Sequence, residues 1–558
     1  MRIASWLCGL SLFIVAIAAA GPAESEKPAA PSQDLWAVAQ KRASIHRFST
    51  LFPANDVRRY LGTEEGLNEA VAWCKATGVT KVYLEVFRGN YQAEKETLVR
   101  ARDRFAREGF VVCGGVTTTG VGKATKSDGN VSCYTDPATQ ERLEQIFRYA
   151  AGLFDVVMID DFYFTQCQCE LCKKAKGDKS WAEYRMELLD RMSRDHVLKP
   201  AREVNPKAKI IIKYPEWYDW FHERGYDVVA EPEMFDITWI GTETRDPDNA
   251  RWGKKPQYGA YWLSLWTAAF SHGKLGGGWY DPYGTTPNTY VEQGRQTILG
   301  LCRESMLFCY GGLHADTGPN DVAALRRELS GQLDLAEFVL GETPRGVGTY
   351  KPPHSNPAGD TYIFNFIGML GIPMTADVRF PAESPSLFLT GHALADPKLE
   401  GEITKAIEAV KPILMTSTLR AALPEKLQAQ LTKPNVRVLD LKNKETKATT
   451  YGVLDSVRDL MNLPREKADE WRRPLLEPLG VELSASPRVS LYLYGKNKVV
   501  VENFNDAPAD IVLKVRGAKG FQKAVVLPLD ADVKVEVGSG GEAKIILPAR
   551  AMAALRIQ

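Results

Sequence analysis

Between residue 41 and about residue 318 the chain alternates eight strand-like runs with amphipathic helical stretches. The runs are 42–52 (RASIHRFSTLF), 80–89 (TKVYLEVFRG), 110–120 (FVVCGGVTTTG), 154–164 (FDVVMIDDFYF), 208–217 (AKIIIKYPEW), 235–245 (FDITWIGTETR), 273–283 (GKLGGGWYDPY) and 305–316 (SMLFCYGGLHAD). Most are short, β-branched or aromatic and nearly continuous in apolar character, which suits parallel strands buried on both faces. The segment 64–78 puts Leu67, Ala70, Val71 and Cys74 on one helical face and ends at Gly78. Segments 140–154 and 181–197 read the same way. Eight strand–helix units in about 300 residues is the count of a TIM (β/α)8 barrel, here over 35–345. An open doubly wound sheet is the competing arrangement, but no G-x-G-x-x-G turn follows the first strand.

The remaining segments are shorter units. Residues 346–454 read as a smaller α/β domain, with strands in GVGTYKP, SLFLTG, KPILMTST and VRVLDL and helices in TYIFNFIGMLG and KLEGEITKAIEAV. No nucleotide fingerprint accompanies them. Residues 455–486 form a charged helical connector. Residues 487–558 alternate strongly between polar and apolar positions, the pattern of an antiparallel β-sandwich. At the other end, Met1-Arg2, an apolar stretch and small residues before GPAESEKP describe a signal peptide over 1–20, with 21–34 as a linker. The mature chain is expected to be exported, periplasmic or extracellular, with no membrane attachment after cleavage. With 70 basic and 69 acidic residues there is no electrostatic case for binding nucleic acid or an anionic membrane.

Barrel chemistry belongs at the C-terminal ends of the strands. Those ends carry Glu85 and Arg88 (strand 2), Asp160 and Asp161 (strand 4), and Lys213, Glu216 and Trp217 (strand 5). Strand 6 adds Glu243 and Arg245, strand 7 adds Trp279, Tyr280 and Asp281, and strand 8 adds His314 and Asp316. Carboxylates interleaved with aromatic residues are what sugar chemistry needs. One protonated carboxyl helps the leaving oxygen depart, and a second, ionised one attacks the anomeric carbon or activates water. Flat sugar faces stack on Trp and Tyr while acids and Arg bind hydroxyls. Asp160 and Asp161 point differently, since neighbours on a strand alternate. Asp155 and Asp236 each open a strand and belong at the opposite end. Metal-dependent hydrolysis is less well served, because of seven histidines only His46 and His314 are near strand ends. A Schiff-base role for Lys213 rests on a single lysine.

Cys167, Cys169 and Cys172 form a C-x-C-x-x-C cluster a few residues after the acid pair. Cys133, on the loop after strand 3, is placed to complete a set of four cysteines. Four thiolates leave no open coordination position, so a zinc there would be structural. A disulfide with free thiols is the alternative in an exported chain. No organic cofactor is expected.

These features resemble glycoside hydrolase family 42, β-galactosidases with a zinc site. In that family a catalytic carboxylate ends strand 4, a C-x-C-x-x-C run follows, and a tryptophan-bearing helix comes next, as CQCELC is followed here by Trp181 and Tyr184. An upstream cysteine matches Cys133. The resemblance implies the order barrel, flavodoxin-like α/β domain, β-sandwich, and a homo-oligomer formed through 346–454. It departs in the acids: that family has Asn-Glu where this chain has Asp160-Asp161, and a strand-7 Glu nucleophile where this chain has Asp281. Two assignments therefore stand. Asp161 is the acid/base with Asp281 as nucleophile, or Asp161 is the nucleophile with Glu243 as acid/base, as in α-galactosidase-like barrels; the second matches two carboxylates without shortening one. The expected function is an exported glycoside hydrolase acting on an oligo- or polysaccharide. The alternative is a carbohydrate-binding or assembly protein on the same barrel. Sugar, linkage and retention or inversion stay open.

Overall fold

The computed structural model describes residues 34–126, 129–249, 251, 255–440 and 455–558, apart from the side chains of residues 316, 455 and 456. The expected signal peptide and almost all of the linker lie outside these residues. Eight barrel strands make up the first sheet, apart from a two-residue strand Tyr91–Gln92 that pairs antiparallel at the end of the second: β1 Arg47–Phe52, β2 Val79–Arg88, β3 Val111–Val116, β4 Val156–Ile159, β5 Lys209–Tyr214, β6 Ile237–Gly241, β7 Leu275–Tyr280 and β8 Glu304–Leu307. The eight are parallel and pair in sequence order, and β1 pairs with both β2 and β8, closing the barrel.

Strand alternation explains what fills it. One buried residue per strand meets at the centre: Leu51, Tyr83, Cys113, Met158, Ile211, Trp239, Trp279 and Met306. Trp239 needs room in that layer. A Cβ at Gly277 would lie 2.7 Å from its ring, so the GGG run of β7 is a packing device. The strands end earlier than the apolar runs suggest: β4 stops at Ile159 and β8 at Leu307. After β4 the pair Asp160-Asp161 needs solvent or ionic partners, so the chain leaves the ladder there. Helices begin at recognisable caps; Ser180 and Glu183 form a capping box on the helix Trp181–Met192.

A second sheet is wholly parallel: β9 Val347–Tyr350, β10 Met374–Asp377, β11 Leu387–Leu389, β12 Ile413–Thr416 and β13 Val436–Leu439, in spatial order β10-β9-β11-β12-β13. The sequence pattern missed β10, whose four residues are too few to stand out. Two antiparallel sheets follow. One contains β15 Val489–Tyr494, β16 Lys498–Asn503, β21 Met552–Ile557 and β18 Phe521–Leu527. The other contains β14 Val481–Ser484, β17 Ala509–Val515, β20 Glu542–Leu547 and β19 Lys534–Val537. Thus β14 belongs to a sheet although it lies within the segment expected to be a connector.

The first antiparallel sheet docks on the barrel helices Pro287–Leu299 and Pro319–Val339. Arg295 donates to Glu328 at 2.7 and 2.8 Å and to Glu502 of β16 at 3.3 Å, and Gln296 donates to the other Glu502 oxygen at 2.6 Å. The second sheet is tied to the barrel by His392, whose Nε2 lies 2.7 Å from the Asp219 carboxylate, both fully buried. Among the described residues no helix is long and apolar enough to cross a membrane.

Candidate active site

The alternation that fills the barrel also builds its mouth. Continuing the inward-facing parity past Tyr83, Cys113, Met158, Ile211, Trp239 and Trp279 gives Glu85, Thr117, Asp160, Lys213, Glu243 and Asp281. All six are buried. They form two linked sets.

The first set is centred on Arg88 and Lys213. Arg88 donates to both oxygens of Glu85, at 2.8 and 3.1 Å, and to Asp160 Oδ2 at 2.8 Å. Thr117 donates to Glu85 and, at 2.9 Å, to Asp160. Asp160 Oδ1 accepts the Asp161 N–H at 2.7 Å, and this local turn swings Asp161 back over the mouth. Lys213 Nζ then donates to Asp161 Oδ2 at 2.7 Å and Glu243 Oε1 at 2.9 Å, over the Trp279 ring at 4.1 Å. Asp160 is therefore the anchored acid and Asp161 the presented one, with side-chain exposures of 5% and 16%.

The second set holds Asp281 and Glu216. Arg245 clamps Asp281 through two hydrogen bonds of 2.7 and 3.1 Å, and the Asp281 carboxylate also accepts the Tyr283 N–H. Glu216 accepts from Lys255 at 3.2 Å and lies 3.7 Å from Arg245. One oxygen each of Asp161, Glu216 and Glu243 lies within 4.8 Å of the others.

Electrostatics separate these acids. Burial opposes ionisation of Asp160, but Arg88 and Lys213 outweigh it and hold that carboxyl low. Burial opposes charge on Glu216 too, yet Lys255 and Arg245 bring it to about 2. Burial pushes Glu243 up to about 7, against Lys213 and aided by Glu216. Asp161 is also raised, by burial and by the charges of Asp160 and Glu243, with Lys213 opposing. Asp161 and Glu243 share one ammonium, so the loss of a proton from either is linked to the charge of the other. Among the described residues, Glu243 Oε2 is buried and finds no hydrogen-bond partner. A Cβ at Gly241 would sit 2.3 Å from that oxygen, so the glycine makes its space.

Of the expected binding residues, Glu85, Arg88, Lys213, Glu216 and Arg245 join these sets. Trp217 lies partly buried on the rim, packed edge-on against Phe164 and stacked beneath Arg224. Other expectations change. Trp279 is a buried floor, with Phe308 stacked on it at 4.6 Å and Lys213 over its ring, so it offers little face to a sugar. Tyr280 has the opposite parity and packs against Tyr290 in the helix layer, away from the mouth. His314 lies in a helical turn, Gly312–Asp316, beyond β8; it stacks on Tyr310 and pairs with Glu69. The backbone of Asp316 shares that turn; its side chain is outside the described residues. His46 sits at the other end of the barrel, bonded to Cys302 and Ser305, and Asp236 likewise binds the Ile210 N–H at the strand start. Thr117, Lys255, Tyr283 and Phe308 were not singled out from sequence. Parity alone could have found Thr117; the others depend on loop paths.

The cysteines form a compact group. Cys133, Cys169 and Cys172 sulfurs are 3.5–3.7 Å apart, and all four, with Cys167, lie within 4.8 Å of one another. A disulfide would bring two sulfurs to about 2.05 Å; these are free thiols. Bonds of about 2.3 Å to a central tetrahedral ion would place sulfurs about 3.8 Å apart, near the observed spacing. The group could therefore hold a metal ion. Cys169 is the N-cap residue of the helix Glu170–Lys176, and Cys172 lies in its first turn. The cluster thereby joins the loops after β3 and β4, and Thr165 bonds across them to the Ser132 carbonyl.

Known proteins bear on this geometry. An uncharacterized protein of Saccharolobus solfataricus is 29% identical over 345 residues, 56% of this chain and 57% of that protein, so the chain spans a little over half the length of the curated relative it matches. Among solved structures, Gan42B, a GH42 beta-galactosidase, superposes with a TM-score of 0.57 at 10% identity over 92% of this chain and 98% of its own. A catalytic mutant of Gan42B from G. stearothermophilus does so at 11% identity with the same score and coverage. At such identities the likeness is one of fold. A sequence family described as "Probable glycosyl hydrolase, catalytic domain" matches residues 33–333, more than half of the chain and all eight barrel strands with their acid-lined mouth, and the protein belongs to that family.

Proposed function

We propose that the protein is an exported glycoside hydrolase in which Asp161 is the nucleophile and Glu243 the general acid/base. The observation that carries this is the pair itself: two carboxyls bridged by Lys213, one presented to the mouth and one holding a buried, unpartnered oxygen. Asp281 is the weaker candidate because Arg245 occupies both of its oxygens.

In the first step an Asp161 oxygen attacks the anomeric carbon. The bond to the leaving oxygen breaks, and that oxygen takes the Glu243 proton. In the second, Glu243 removes a proton from water, which attacks the same carbon and releases Asp161. One oxygen of each acid lies within 4.8 Å of the other, and both reach the same Lys213 ammonium, a close approach that supports the direct-attack reading. Lys213 orients the Asp161 carboxyl and opposes the burial that disfavours its charge, and Arg88 with Thr117 fixes Asp160 beneath it.

The second sheet has the 2-1-3-4-5 order of a flavodoxin-like domain, and the two antiparallel sheets support a β-sandwich. Homo-oligomerisation through 346–454 rests on the family 42 resemblance alone. Residues 1–20 support export by sequence, and N-terminal sequencing of the secreted protein tests it. Cys133, Cys167, Cys169 and Cys172 would hold a structural zinc, which braces the two loops without touching substrate. Elemental analysis showing one zinc per chain, lost on Cys169→Ser, tests that.

For the reaction, aryl glycosides and oligosaccharides are offered to the wild type, Asp161→Asn and Glu243→Gln. Proton NMR of the first-formed anomer should show retention. Folded variants with full activity on the same substrate would refute the assignment.

A further inference from the structure

Resting on the reading of Asp161 and Glu243 as the reacting pair, we infer that the sugar unit seated at them carries no anionic group. It is an uncharged polyol ring held by hydroxyls that donate to carboxylates, and uronic acid or sulfated units are rejected. Among the described residues the cations of the mouth are all committed. Arg88 spans Glu85 and Asp160, and Lys213 spans Asp161 and Glu243. Arg245 grips Asp281 in bidentate fashion, and Lys255 holds Glu216. Six carboxylates thus face these four cations. Arg224, on the same rim, is itself engaged by the rings of Phe164 and Trp217.

A receptor for a uronate or sulfate presents an arginine fork or an ammonium to the ligand. This mouth presents the opposite: a buried Glu243 oxygen that accepts nothing, beside the partly exposed Asp161. Hydroxyl donors satisfy such acceptors. An added negative charge meets several carboxylates at short range in a poorly screened site. Lys213 already fills the space a small cation would need, so the three-carboxylate group of Asp161, Glu216 and Glu243 is better matched to hydroxyls than to a metal ion.

The test uses the full chain and matched p-nitrophenyl glycosides in gluco, galacto and manno configurations, each as the hexoside and the hexuronide. Alongside, calorimetry follows binding of neutral glucan, galactan and mannan, and of polygalacturonate and alginate. The expected result is cleavage of at least one hexoside with kcat/KM about 100-fold or more above its hexuronide. Glu216→Gln, which deletes one negative charge and releases Lys255, should narrow that ratio about tenfold. A hexuronide cleaved within tenfold of its hexoside, or a polyuronate bound more tightly than every neutral glycan, would overturn the inference. So would the absence of binding by any neutral glycan. Neutral binding without any cleavage would sustain the inference while refuting the proposed reaction.

Discussion

At the barrel mouth Lys213 is shared by Asp161 and Glu243; at the junction of the barrel helices with the first antiparallel sheet Arg295 is shared by Glu328 and Glu502. Both are cations between two carboxylates in a desolvated setting. At the junction both oxygens of Glu328 and both of Glu502 accept hydrogen bonds, from Arg295, Gln296 and Gln332. At the mouth one Glu243 oxygen accepts none among the described residues, and Asp161 reaches solvent. Saturation makes a network a fastener. Incompleteness beside an opening leaves a group free to act on something brought in.

Breaking each network should therefore cost different things. Asp161→Asn or Glu243→Gln should reduce kcat/KM about 10⁴-fold, about 5 kcal/mol of transition-state stabilisation, while urea denaturation shifts little. Arg295→Met should do the reverse. It leaves Glu328 and Glu502 buried without their cation, so stability falls by about 3–5 kcal/mol in the same titration, and the reaction at the distant mouth changes little in the fraction that remains folded.

The pH dependence should differ as well. Burial raises Glu502 to about 8, against Arg295. A carboxyl raised on folding stabilises fully below its unfolded value, and that contribution is lost as pH rises through the folded one. Stability should decline from about pH 4.5 to about pH 8, and Glu502→Gln should flatten that decline in denaturation midpoints. At the mouth, activity should fall about tenfold per unit above about pH 7, as Glu243 loses its proton. The acid limb should lie above the ordinary aspartate range, because Asp161 is raised. The smallest expected effect turns a fastener into a mouth-like site: Gln296→Met leaves one Glu502 oxygen unpaired and should cost about 1–3 kcal/mol by thermal unfolding.

Much of this was legible in the chain before folding. The eight apolar runs, ended by polar clusters, mark the barrel, because a strand buried on both faces tolerates few other residues. Asp160, Asp161, Glu243 and Asp281 stand out because carboxylates at such strand ends have no structural reason to be numerous. The C-x-C-x-x-C spacing marks the sulfur cluster, because it brings three sulfurs to one helix start. Misplacements came where sequence distance and direction part company. Tyr280 sits one residue from Trp279, and strand alternation sends it to the opposite side of the sheet. His314 follows an apolar run that the chain abandons at Leu307 for a helical turn.

The sequence by itself determined the architecture of the barrel and the supply of acids at its mouth, since both follow from local period and burial. Only the tertiary structure decided which acid is anchored and which is presented. Asp160 and Asp161 are chemically identical neighbours. They are distinguished by Arg88, Thr117 and Lys213, which arrive from three other strands or their ends. The preference for Glu243 over Asp281 as the proposed partner has the same origin, because Arg245 lies two residues from Glu243 yet its guanidinium closes on Asp281. Side-chain charge pairing depends on distances across the barrel that no local pattern encodes.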